Sequence, residues 1–383
     1  MKTEIRRLAG QWSAHGAAQG GNFVRSPVGL WLALGVAAAG ARGETAEEIR
    51  GLLGFAGSDA AKAVREATRV LDGTDALGTA TCVWSKVPVY REFQQALPDV
   101  AVGQLDPVAI DAWVRESTGG LIERLPVRLD GGILLAIVNA LALKARWQYP
   151  FESWLTEDLD FTDAAGVCRM VPTMQKGVPL ADAWTVGATR VVELRCRTEG
   201  GAQGASQAGA PGSARDLVPD AVPGRGKGVG GPARVRFLLG EPGAGPGDVL
   251  PAGWARSGER TPLDTDLVDI ALPRLALRTT TEVTEELPGW GIHRATTDLA
   301  DFSGMSPEQL KVSRVVQEAL LKVAEEGVEA AAVTVVPMAA GSAPPPARRT
   351  ETIRFNRPFG VVVLDASGEL PLFIAWQEGV PGE

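Results

Sequence analysis

Histidine and cysteine are scarce in this chain: its 383 residues include only His15, His293, Cys82, Cys168 and Cys196. The cysteines are odd in number, far apart and without a CxxC spacing, so neither a disulfide framework nor a structural zinc site is expected. They read as small buried hydrophobes or free thiols. The histidines lie almost the whole chain apart, each near glycine, in the setting of a surface or capping residue. A Ser/His/Asp hydrolase would have to use one of them, and the chain has no GxSxG elbow, no GxxxxGK[ST] loop and no HExxH helix. No catalytic, cofactor-binding or metal site is expected, and the chain reads as a non-enzyme.

Long apolar runs are also missing. The longest early one, Leu30 to Ala39, stops at Gly40-Ala41-Arg42-Gly43 and is too short for a membrane span. No apolar signal-peptide core follows the basic residues of Met1 to Arg7, so the sequence as written suggests a cytoplasmic protein, extracellular if a signal was removed before residue 1. Basic charge is in deficit, 38 Lys and Arg against 46 Asp and Glu for a net charge of −8, which disfavours nucleic acid and anionic membranes as partners. What is present, 45% hydrophobic and 22% charged residues, is the composition of a soluble globular protein with a large core. The length allows two or three domains or one large one.

Ile5, Leu8 and Trp12 recur at helical spacing from Glu4 to Ala18, and Gly20-Gly21 ends that helix. Pro27 opens a second, apolar helix at 28–39. Thr45 with Glu48 reads as a capping box for a short third helix. Pro107 to Leu125 is expected to be helical, between buried strands at Thr79 to Trp84 and Ile133 to Lys144. The second half turns to β structure at Val191 to Leu194, Val235 to Leu239, Leu267 to Leu277, Val315 to Val323, Ile353 to Phe355, Val361 to Leu364 and Leu372 to Trp376. Residues 200–232 hold ten glycines and four prolines with almost no large apolar side chain. Such a composition cannot offset its ordering entropy, so a disordered insertion between two neighbouring strands is expected. Its Gly226-to-Gly231 match to GxGxxG lacks the strand and helix a nucleotide site needs, since Pro232 follows.

The informative stretch runs from Glu325 to Thr352, nearly thirty residues between two strong strands. A connection of that length in a compact domain is usually functional. Read as a strand, it places Val328, Ala330, Ala332, Thr334 and Val336 on one small, mostly apolar face. It therefore has two accessible states, an exposed loop and an added strand, although its alanines also suit a helical or disordered connector.

Five groups of residues now resemble a known family. They are Asn22-Phe23-Val24-Arg25-Ser26-Pro27 with Gly40 to Thr45; Val138-Asn139-Ala140 to Trp147 with Pro150-Phe151; Met170-Val171-Pro172-Thr173-Met174; Leu272-Pro273-Arg274-Leu275 with Trp290-Gly291-Ile292 and Asp298 to Gly304; and Phe355-Asn356-Arg357-Pro358-Phe359. In this order and spacing they resemble the serpins over nearly the full chain. The resemblance implies one α+β domain over 1–383, the serpin fold of three β-sheets and eight or nine helices, with an exposed reactive-centre loop at about 325–352. It implies a suicide inhibitor of serine proteases: the loop is cleaved, an acyl-enzyme forms, and the loop inserts as a new central strand that traps the protease. The partner would be the target serine protease in a covalent complex with a monomeric inhibitor. The alternative is a non-inhibitory serpin acting as a binding or chaperone protein.

Carried over by position, the hinge is Glu325, Glu326, Gly327, Val328, Glu329, Ala330, Ala331 and Ala332, with Val328 in place of the threonine or serine usual there. Counting forward from Glu325 puts the reactive bond at Gly341-Ser342, with Ala339 and Ala340 as near alternatives, which suits elastase- or subtilisin-like proteases. Counting back from the far end favours Arg348 or Arg349 and a trypsin-like protease, but Pro344-Pro345-Pro346 would then obstruct the inserted ladder. The family's sheet-opening network is matched by Ser26 and Asn139, with Gln317 where histidine is usual.

Overall fold

The structure is a computed structural model that describes residues 1–75, 77–124, 132–197, 231–328 and 349–382. Its helices are α1 (Lys2–Gln19), α2 (Pro27–Gly40), α3 (Gly43–Leu53), α4 (Ser58–Asp72), α5 (Arg91–Ala96), α6 (Pro107–Ser117) and α7 (Pro246–Val249). The strands are β1 (Phe23–Arg25), β2 (Leu77–Ser85), β3 (Ala101–Gln104), β4 (Leu135–Leu143), β5 (Ala145–Arg146), β6 (Glu157–Thr162), β7 (Cys168–Val178), β8 (Ala183–Val186), β9 (Thr189–Arg195), β10 (Arg234–Leu239), β11 (Thr261–Pro262), β12 (Leu267–Pro273), β13 (Leu275–Glu282), β14 (Val316–Ala324), β15 (Gly327–Val328), β16 (Thr350–Arg354), β17 (Phe359–Leu364) and β18 (Pro371–Gln377).

Three sheet systems organise the α+β fold. A seven-stranded sheet runs β1-β18-β17-β10-β9-β8-β11, and a four-stranded sheet runs β16-β12-β7-β6. The third system is divided into β3-β2-β4 and β13-β14-β15-β5. Both halves line one cavity over α2, so they read as one sheet parted along β4 and β14. α2 is the core helix beneath it. The Ser26 hydroxyl caps its first turn by accepting from the Gly29 N–H at 3.1 Å, Pro27 supplies a position that needs no donor, and every residue but Ala33 is buried. On α1, Ile5, Leu8 and Trp12 are buried as their spacing predicts.

Three local expectations change. The capping box at Thr45 does not form, because α3 begins earlier and both side chains are engaged elsewhere. The Thr45 hydroxyl accepts from the Asp301 N–H, and the Glu48 carboxylate accepts from the N–H groups of His293 and Arg294 at 2.8 and 2.7 Å. The helix expected to reach Leu125 stops at Ser117, since Gly119 and Gly120 adopt positive φ of 61° and 85°. Leu267 to Leu277 is two strands rather than one: the chain leaves one sheet after Pro273 and enters another at Leu275, with the Arg274 N–H held by the Pro172 carbonyl. By contrast β9 and β10 pair directly, Arg195 opposite Arg234, so the strands flanking the glycine-rich stretch are neighbours. All of that stretch except Gly231 and Pro232 lies outside the described residues. Among those described, no helix is long and apolar enough to cross a membrane.

Candidate functional site

At the end of β14 the chain turns through Glu325 and Glu326 and doubles back as β15. Val328 lies opposite Val323 and Gly327 opposite Ala324; on the other side Gly327 faces Arg146 and Val328 faces Ala145 of β5. Gly327 and Val328, expected as part of the hinge, thus form a two-residue rung inside the sheet, with Val328 only 2% exposed. Gly327 is required by the close approach of β5: a Cβ here would collide with the Ala145 carbonyl oxygen and come within 2.7 Å of the Arg146 Cα.

Four residues hold this turn. Arg274 grips the Glu325 carboxylate, Nε at 2.9 Å and Nη2 at 2.6 Å from Oε1, and the Thr156 hydroxyl donates to the same oxygen at 2.8 Å. Burial alone would raise the Glu325 carboxyl, but the hydrogen bonds from Arg274 and Thr156 outweigh it and hold its pKa below the ordinary carboxylate value. The Phe151 N–H donates to the Glu325 carbonyl and the Trp147 N–H to the Glu326 carbonyl, both at 2.9 Å. The Trp147 indole N–H reaches the Ala324 carbonyl at 2.9 Å. Trp147, Phe151 and Arg274 stand inside the motifs quoted above, yet as anchors of the hinge they had no signal in sequence, and Thr156 had none of any kind.

Below the rung, β4 and β14 do not pair, and a cavity of about 150 Å³ separates them over α2. Ser26, Asn139 and Gln317 meet at its edge. The Gln317 side-chain amide accepts from the Ser26 N–H at 2.6 Å and donates to the Ser26 carbonyl at 2.9 Å, while the Ser26 hydroxyl donates to the Leu372 carbonyl at 2.7 Å. Asn139 belongs to the other half and donates to the Thr81 hydroxyl at 2.9 Å. All three converge on Gly29: a Cβ there would lie 2.8 Å from Asn139 Oδ1, 3.1 Å from Ser26 Oγ and 3.3 Å from Gln317 Nε2. Gln317 therefore ties the start of α2 to β14, and Asn139 approaches Gly29 from the β4 side.

Glu329, Ala330, Ala331 and Ala332, the bonds at Ala339, Ala340, Gly341 and Ser342, and Arg348 lie outside the described residues. Arg349 lies inside them, immediately before β16. Its carbonyl accepts from the N–H groups of Asp266 and Leu267 and from the Thr265 hydroxyl, and its guanidinium pairs with Asp264. Of the cysteines, Cys82 and Cys196 are buried, their thiols pushed up to about 12 by burial, and Cys168 is exposed. Neither histidine borders the hinge: His15 Nε2 lies 3.6 Å from Glu286, and His293 is bound through its backbone to Glu48.

A family model described as Serpin (serine protease inhibitor) matches residues 7–203 and 252–376. Alpha-1-antiproteinase 2 of Equus caballus is 28% identical over 69% of this chain, and the chain spans only 54% of that protein's length. Serpin-Z2B of Oryza sativa subsp. japonica is 30% identical over 87% of this chain and 85% of its own. Among solved structures, thyroxine-binding globulin in complex with thyroxine superposes with a TM-score of 0.75 at 20% identity, over the whole of both chains. That likeness concerns the fold alone.

Proposed function

The chain belongs to the serpin family, and on that premise we propose that it is a single-domain suicide inhibitor of serine proteases. In this reading a protease cleaves the reactive-centre loop, its acyl-enzyme is carried along as the loop inserts between β14 and β4, and distortion of the protease prevents deacylation. The observation that carries the reading is the rung at Gly327–Val328, seated between β14 and β5, which supports taking it as the first step of the added strand. Because the Val328 side chain is buried, residues of the same parity, Ala330, Ala332, Thr334 and Val336, would follow it into the core. All are small enough to pass between two strands. The parted edges of β4 and β14 offer the ladder, and release of the Gln317 tie to Ser26 would free β14 to move away from α2.

The preferred bond is Gly341-Ser342, with Ala339 and Ala340 beside it, in favour of elastase- or subtilisin-like targets. The fixation of Arg349 by three hydrogen bonds to its carbonyl speaks against cleavage there, because a scissile peptide must enter a protease cleft in extended form. Incubation with elastase and with subtilisin should give a covalent complex that survives SDS, with a new N-terminus at Ser342 or within two residues of it. Cleavage of the loop by every such protease with release of active enzyme would instead indicate a non-inhibitory member.

A further inference from the structure

We infer that the cavity between β4 and β14 is a binding site for a neutral, single-ring molecule carrying one hydroxyl group, of the class of the simple phenols, and that its occupant bridges the two strands. The binding stands without the inhibitor reading, and only its consequence for loop insertion rests on it. Leu30 and Leu34 of α2, Ile137 of β4, and Ile122, Phe302 and Met305 line a space of about 150 Å³. An apolar cavity of that size accepts a molecule as large as benzene. From α2 nothing larger than a methyl group reaches into it at Gly29, Ala33 and Ala37, and Ala33 is the one residue of that helix that is not buried. The walls do not call for a charged occupant. Lys311, Arg314 and Glu318 border the cavity, and each is already paired, with Asp298, Glu282 and Arg278 respectively.

At the Gly29 end the walls turn polar, and two side chains there keep unused hydrogen-bonding capacity. Asn139 donates through Nδ2 to the Thr81 hydroxyl at 2.9 Å and to the Ala80 carbonyl at 3.5 Å, while its Oδ1 accepts no hydrogen bond among the described residues. Gln317 accepts from the Ser26 N–H and donates one amide hydrogen to the Ser26 carbonyl, which leaves the second hydrogen free. Asn139 Oδ1 and Gln317 Nε2 lie 2.8 and 3.3 Å from one point beside Gly29, so a single hydroxyl, which both donates and accepts, can reach the two. A hydrocarbon would leave both atoms unmet. A carboxylate would face the Asn139 oxygen, and either charge would be costly to bury in such walls. A phenol matches the ring-sized apolar body and the one acceptor and one donor at its end. Bound there, it joins β4 to β14, stabilises the native arrangement by mass action and occupies the space that an inserting strand would take.

The test titrates the intact chain with p-cresol and, in parallel, with toluene, which has the same ring and methyl group without the hydroxyl. By calorimetry and by the melting midpoint, p-cresol should bind saturably and about tenfold more tightly than toluene. Ala33→Leu places a side chain in the cavity and should abolish binding of both, whereas Asn139→Ala should leave toluene bound and cancel the preference for p-cresol. Ala37→Val fills the same space with a smaller group if Ala33→Leu lowers the unliganded midpoint. Absence of saturable p-cresol binding, equal binding of toluene by the parent, or p-cresol binding unaltered by the filling variants overturns the site. With active elastase or subtilisin, saturating p-cresol should lower the SDS-stable fraction at least threefold while cleavage of a small substrate by the protease alone is unchanged. Saturable binding to a chain that forms no SDS-stable complex with any protease removes the inhibitor reading alone. An SDS-stable complex formed by a chain that does not bind p-cresol removes the site alone.

Discussion

Glu325 is where a single side chain controls most. Its carboxylate takes two donors from Arg274 and one from Thr156, and loss of hydrogen bonds to a charged group costs about 1.5–3 kcal/mol. Glu325→Gln keeps the shape and removes the charge, so the midpoint of thermal unfolding should fall and the loop root should exchange its amide hydrogens faster. The pH dependence follows from the lowered pKa. The folded carboxyl sits below its ordinary value of 4.5, so its stabilisation is fully present above that value and is lost as pH falls through the folded one. Glu286 runs the other way. Burial raises it despite Arg25 and His15, so its contribution is present below the ordinary value and fades as pH rises. Melting midpoints of parent and Glu325→Gln should therefore differ at pH 7 and converge on acidification below about 4.5. A constant difference down to pH 3 would mean that the carboxylate charge is not what holds the hinge.

At the scale of the element, the decisive property of the loop is its alternation. Small residues at Ala330, Ala332 and Thr334 carry the parity of buried Val328, and a charge at such a position would enter the sheet unpaired, at a cost of several kcal/mol. In the inhibitor reading residue 332 inserts only after cleavage, so Ala332→Glu should leave the native melting midpoint unchanged while the fraction of protease trapped in SDS-stable form falls at least tenfold. Full trapping by Ala332→Glu would show that insertion does not carry residue 332 to the core. β14 was legible in sequence because its run of β-formers needs no partner to be seen: it was expected at Val315 to Val323 and is found at Val316–Ala324. The split between β12 and β13 was not, because apolar residues continue through Pro273 and Arg274 while the chain changes sheets. α4 went unread although its buried Ala60, Ala61, Val64, Ala67 and Leu71 lie on one face: three of the five are alanine and give little contrast with the charged residues between them. Pairings such as Trp147 with Ala324, distant in sequence, are set by sheet order, which no local pattern encodes.

For the whole molecule, the inhibitor reading requires a native state that is not its most stable arrangement. Among the described residues, the facing edges of β4 and β14 do not pair and flank a cavity of about 150 Å³, and the chain proposed to fill the gap is anchored at both ends, by Glu325 and by Arg349. One cut between those anchors removes the restraint. Inserting about a dozen residues would add ladder hydrogen bonds at about 0.5–1.5 kcal/mol each net and bury Val336 at about 1.5–3 kcal/mol, on the order of 10 kcal/mol together before the ordering of the loop is subtracted. The scarcity of histidine and cysteine fits that reading, in which the protease supplies the chemistry and this chain supplies stored conformational energy. Limited cleavage in the loop by a protease that is not trapped should therefore raise the melting midpoint by about 10 °C or more, with the two fragments remaining associated. Scanning calorimetry before and after the cut reads this directly. An unchanged midpoint would mean that the cavity between β4 and β14 does not accept the strand, and the native fold would then already be the stable one.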